Sequence, residues 1–237
     1  MPRRNLSVNF INLNDTDDTE RTEIRTQMPL PEALLILGPT GSGKTPLGEL
    51  LAARGLSGRR ARHFDFGARL RQEAATPSGA LDDRELAVVR ISLETGALLE
   101  DEEFGIAEKL LARFIEEEQD DSLIIMNGLP RHTGQADALE GIINISMVVV
   151  LECSPEQVAR RIERDTGGDR NGRPDDHPEK ISRRLAIFLE RTLPLLDYYR
   201  ERSGTVVLNL PVSEHSTGSE TLTLLEQSLS ADHSLSD

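Results

Sequence analysis

Gly38-Pro39-Thr40-Gly41-Ser42-Gly43-Lys44-Thr45 follows directly on the apolar run Ala33-Leu34-Leu35-Ile36-Leu37, and this junction constrains the fold more than any other stretch of the 237 residues. The octapeptide fits the phosphate-loop pattern G-x-x-x-x-G-K-[ST] at every fixed position. A short apolar run ended by glycine reads as a strand buried on both faces. With a helix starting near Gly43, the glycines let successive backbone N–H groups turn inward around an anion, and the helix start adds partial positive charge. Lys44 is then placed to reach β and γ phosphates, and the Thr45 hydroxyl to bind Mg²⁺. Gly41, Ser42, Gly43, Lys44 and Thr45 are thus the expected ATP-binding residues of the loop. The loop implies ATP or GTP and leaves the reaction open.

Similar apolar runs recur at 123–126, 147–151 and 205–210, with a weaker one before Phe64. Helical patterns fill the intervals at 43–55, 67–75, 83–95, 101–117, 155–164 and 177–201. Strands separated by helical connections imply parallel pairing with right-handed crossovers. The expectation is an α/β fold of the P-loop NTPase type: a five-stranded parallel sheet with helices on both faces. An amphipathic stretch over about 218–229, with Leu222, Leu225 and Leu229 on one side, is expected to pack back on the sheet.

Residues 1–30 are polar and aperiodic and read as a disordered tail, residues 31–212 as the domain, and residues 213–237 as a terminal helix with a frayed end. The formal net charge is −14, which argues against binding to nucleic acid, so any anionic ligand must be held by a local cluster of cations. No window is long and apolar enough to span a membrane and no signal peptide is visible, so a cytoplasmic protein is expected. The lone Cys153 excludes an internal disulfide and reads as an inert thiol.

The reaction class comes from a second set of residues. Asn127-Gly128-Leu129-Pro130-Arg131 follows a buried run, with Gln135-Ala136-Asp137 close behind. His63-Phe64-Asp65-Phe66-Gly67-Ala68-Arg69-Leu70-Arg71, Gly96-Ala97-Leu98-Leu99, Arg160 to Arg164, Gly172-Arg173-Pro174-Asp175-Asp176 and Arg183-Arg184-Leu185 follow in order. Together these segments resemble the adenylate kinase family of nucleoside monophosphate kinases in its short-lid form, over roughly residues 32–212.

The resemblance implies transfer of the γ-phosphoryl of ATP to a nucleoside monophosphate, AMP first, by a monomer that uses Mg²⁺. It places a monophosphate-binding insert at about 64–99 and a lid at about 165–176. Arg71 and Arg131 would grip the acceptor phosphate, while Phe66, Gly67, Leu99, Gly128 and Gln135 would meet the rest of the acceptor. Arg164, Arg173 and Arg184 would close over the ATP phosphates, and Arg160 would lie against the donor adenine. Guanidinium groups suit this work because they stay ionised and fork onto phosphate oxygens. Arg69, Arg161 and Arg183 read as solvated surface charges.

Two departures bear on function. Asn127 stands where the family has a metal-holding aspartate, with Asp65 the neighbour placed to compensate. Phe66 stands where adenine-selective members carry a small polar residue, which leaves the acceptor base open. A kinase of another small acceptor and a non-catalytic nucleotide sensor are the competing readings.

Overall fold

The computed structural model describes residues 29–118, 120–168 and 178–233. Residues 1–28 of the tail expected over 1–30, the lid residues 169–176 with Arg173, Asp175 and Asp176, and the last four residues lie outside the described residues. The fold below is that of the unit Pro31–Asp237.

Five strands form one sheet in the order β2-β3-β1-β4-β5. They are β1 (Glu32–Leu37), β2 (Ala61–Asp65), β3 (Leu123–Asn127), β4 (Asn144–Glu152) and β5 (Val206–Pro211), and each pairs with its neighbours in parallel. The helices are α1 (Lys44–Arg54), α2 (Phe66–Ala75), α3 (Asp83–Thr95), α4 (Phe104–Glu117), α5 (Thr133–Leu139), α6 (Pro155–Arg164), α7 (Pro178–Ile187), α8 (Leu195–Glu201) and α9 (Gly218–His233). The fold expected from the sequence is therefore found, with α5 as a short helix that the pattern did not announce.

The central strands β1 and β3 are buried almost throughout because both faces of the sheet are covered. One cluster gathers Leu35, Phe64, Met126, Val148, Leu111 and Tyr199; the other gathers Leu34, Ile36, Ile125, Leu151 and Leu47 with Leu222, Leu225 and Leu229 of α9. Helix α1 lies close on β2 because Gly48 has no side chain: a Cβ there would stand 2.3 Å from His63 Nε2.

The expected helix over 177–201 is interrupted. Phe188–Thr192 forms one wide turn, and the N–H of Leu193 reaches back five residues to the carbonyl of Phe188 at 2.8 Å. Pro194 supplies the reason, since it offers no N–H and its ring crowds the carbonyl four residues earlier. Parallel pairing brings the carboxyl ends of all five strands to one edge, where ligands bind in open α/β sheets.

Candidate active site

The loop after β1 has backbone conformations that only its glycines reach easily, with φ of 80° at Gly41 and 100° at Gly43. Lys44 folds back over the loop, its Nζ donating to the carbonyls of Gly38 (2.8 Å) and Pro39 (2.7 Å). Ser42 lies buried beneath, 1% exposed, with its hydroxyl 2.7 Å from where a Cβ on Gly38 would fall. The Lys44 hydrogen bonds, and that of the Ser42 N–H to the Pro39 carbonyl at 3.2 Å, pin the loop from within.

The tips of β2 and β3 supply the opposite wall. Asp65 caps α2, accepting from the Ala68 N–H at 2.8 Å through Oδ1. Its Oδ2 accepts from the Thr45 hydroxyl (2.7 Å) and from Asn127 Nδ2 (2.8 Å). Asn127 Nδ2 also lies 3.1 Å from Thr45 Oγ1. Burial pushes the Asp65 carboxyl up, yet the Thr45 and Ala68 hydrogen bonds, with the charges of His63 and Arg71, hold it below its ordinary value.

Arg131 follows the β3 tip. Its Nε donates to the Gly128 carbonyl at 2.8 Å, its own N–H donates to Gln135 Oε1 at 2.9 Å, and its carbonyl accepts from Thr192 Oγ1 at 2.8 Å. The wide turn at Phe188–Thr192 therefore anchors this arginine. Burial, then the positive charges of Arg184 and Arg71, push the Arg131 guanidinium below its usual value, with Asp65 opposing. Three guanidiniums that repel one another across a cleft are relieved by a bound anion.

Gly41, Gly43, Lys44, Thr45, Gly67, Arg71, Asn127, Gly128, Arg131 and Arg184 line one cleft, together with Asp65. Ser42, Phe66, Leu99 and Gln135 are buried around it. Phe66 turns its ring into the core, 6.2 Å from that of Phe64, so in this structure it offers no stacking face to a base. Gln135 spends its amide on the protein, with Nε2 donating to the Leu99 carbonyl at 2.8 Å. Arg160 and Arg164 stand apart, exposed, with NH1 atoms 3.1 and 3.6 Å from a Glu214 carboxylate oxygen. The Arg160 hydrogen bond is the main cause that lowers the Glu214 pKa.

Arg161 departs from its expected place on the surface. It is 3% exposed and donates to three carbonyls: Gly41 (2.8 Å), Ser213 (2.7 Å) and Ser216 (2.8 Å). It ties the phosphate loop to the segment after β5. The signal was present in the sequence, because Arg161 lies three residues after Val158, which puts both on one helical face, and Val158 is fully buried. Cys153, expected to be buried, is half-buried, and burial raises its thiol pKa. Among the described residues no group of three or more His, Cys, Asp or Glu is arranged to hold a metal, and no helix is long and apolar enough to cross a membrane.

Comparison with known proteins identifies the family. The adenylate kinase family model matches residues 36–204. An adenylate kinase of Thermus thermophilus is 32% identical over 183 residues, 74% of this chain and 87% of that one. UMP-CMP kinase 1 of Oryza sativa subsp. japonica is 30% identical over 173 residues, 71% of this chain and 63% of that one. Among solved structures, a sugar kinase from Janibacter sp. HTCC2649 superposes with a TM-score of 0.48 at 16% identity, over 85% of this chain and 95% of that one. With a glycine-lined anion loop facing an arginine wall and a family model spanning most of the domain, the chain belongs to the adenylate kinase family and is a nucleoside monophosphate kinase.

Proposed function

We propose that the chain moves the γ-phosphoryl group of ATP to AMP, yielding two ADP. One observation carries the reading: Lys44 and its loop share a single cleft with Arg71, Arg131 and Arg184. Phosphoryl transfer asks a protein chiefly for positioning and for charge neutralisation, and these groups supply both. ATP phosphates sit in the loop against Lys44 and the Thr45 hydroxyl. The acceptor phosphate is held by Arg71 and Arg131, with Arg184 between the two anions. The acceptor base enters the slot that includes Leu70, Ser92, Leu93 and Ala97 on helices α2 and α3 and the turn after them. The Gln135 amide, now bonded to Leu99 and Arg131, forms the buried backing of that slot.

Arg160 and Arg164 belong to the donor side and leave Glu214 for the nucleotide as it binds. Arg173 is assigned to the same donor phosphates on the family resemblance alone. Magnesium is the expected companion of ATP: the Thr45 hydroxyl would offer it a hard oxygen donor, and the ion would neutralise charge on the transferring group. The proposal takes the chain to act as a monomer, and the demand for ATP supports a cytoplasmic site of action.

The test is ADP formation from Mg·ATP with AMP, CMP, UMP, GMP or no acceptor. AMP should stimulate most. Stimulation by CMP or UMP instead transfers the proposal to a pyrimidine acceptor, and ATP binding without transfer to any acceptor sinks it. Lys44→Ala and Arg131→Ala should each lower turnover by about 10² or more, since single electrostatic stabilisers supply that much.

A further inference from the structure

We infer that Asp65, at the tip of β2, is the carboxylate that holds the divalent cation of bound Mg·ATP, and that Asn127 positions it. The inference rests on the kinase reading above and concerns where the acid comes from. Asp65 and Asn127 are register partners across the parallel pair β2–β3, so their side chains leave adjacent strand tips at the same level. The Asn127 amide turns its NH₂, not its oxygen, toward this point, donating to Asp65 Oδ2 at 2.8 Å. An amide that donates there orients an acid; it does not offer a ligand oxygen.

Asp65 Oδ2 and Thr45 Oγ1 stand 2.7 Å apart. Magnesium takes oxygen ligands at 2.0–2.1 Å in an octahedron, which sets neighbouring ligand oxygens about 2.9 Å apart. A small spreading of this pair admits the cation, and the hydroxyl and carboxylate are both hard donors.

Oδ1 of the acid caps α2 through the Ala68 N–H, which leaves Oδ2 for the cleft. Asp65 lines the cleft between the loop of Lys44 and the guanidiniums of Arg71 and Arg131. A Cβ on Gly67 would meet an Asp65 carboxylate oxygen and an Arg71 nitrogen at 3.4 Å each, so the acid is beside the acceptor side too. The acceptor is a phosphate whose attacking oxygen carries no proton to remove, so no general base is required. An ionised carboxylate between two phosphate sites repels both unless a cation lies with it.

The experiment is nucleotide affinity measured by calorimetry in magnesium and in EDTA, with a non-hydrolysable ATP analogue and no acceptor. This readout is independent of turnover, so a failure of phosphoryl transfer and a failure of the metal assignment are told apart. In wild type, magnesium should tighten binding. Asp65→Asn should reduce that magnesium-dependent gain about tenfold or more while binding in EDTA stays equal or tightens, because a negative charge has left. Asp65→Ala serves as the second variant, with folding of each checked by circular dichroism. Asn127→Asp should keep or enlarge the gain. A full magnesium-dependent gain in a folded Asp65→Asn or Asp65→Ala protein overturns the assignment.

Discussion

Arg161 shows how much one buried side chain does for the site without facing the cleft. Its guanidinium satisfies three carbonyls, from Gly41, Ser213 and Ser216, which no water-exposed residue replaces. Arg161→Leu keeps the apolar stem and removes every donor, so the phosphate loop loses its tie. Binding of ATP should weaken by about tenfold, equivalent to about 1.4 kcal/mol, with KM for the monophosphate unchanged. Arg161→Lys should recover only part of the loss, because a single ammonium does not span three acceptors in the fork geometry. Steady-state KM values for the two substrates check this, and equal increases in both would assign Arg161 a general structural role.

At the scale of the element, the wide turn at Phe188–Thr192 explains why a helix that reads as continuous over 177–201 is built in pieces. The apolar period survives the break, so the pattern hides it, while Pro194 marks it. The turn delivers Thr192 Oγ1 to the Arg131 carbonyl at 2.8 Å. Thr192→Val keeps the shape and leaves that carbonyl without its donor, which should cost about 1–3 kcal/mol of stability in denaturant unfolding. A variant as stable as wild type would mean that the carbonyl finds another donor.

The strands were legible because runs such as Ala33–Leu37 are apolar on both faces and end in turn residues. Helix α5 was not, since seven residues show too little of a 3.6 period. The phosphate loop and Arg131 were legible as ordered motifs. The inward turn of the Phe66 ring and the burial of Arg161 depend on packing between distant segments, which a linear pattern does not carry.

For the whole molecule, segments far apart in sequence are tied by acids. Glu32 at the start of β1 accepts from Ser146 Oγ at 2.6 Å and pairs with Arg59; Glu100 meets Arg191 at 2.9 Å; Glu214 meets Arg160 at 3.1 Å. The Ser146 hydrogen bond chiefly lowers the Glu32 carboxyl, the Arg191 one lowers Glu100, and the Arg160 one lowers Glu214, each from an ordinary 4.5. A folded value below the unfolded one means that the unfolded chain takes up the proton first. The stabilisation is therefore complete above 4.5 and is lost as the pH falls through the folded values. The melting temperature should drop as the pH falls below 4.5, and Glu32→Gln should make that drop shallower. Solvent screens these partly exposed groups, so each contribution is modest. A melting temperature independent of pH across this range would contradict the assignment.

The side-by-side placing of Asp65 and Asn127 has a consequence for how such chains are sorted. A pattern search that demands aspartate ahead of Gly128-Leu129-Pro130-Arg131 would discard this protein as a dead enzyme. Neighbouring strand tips form one address rather than two, and an acidic letter can be written on either. Inventories of inactive relatives should therefore be compiled from which side chains meet in space, not from one column of letters.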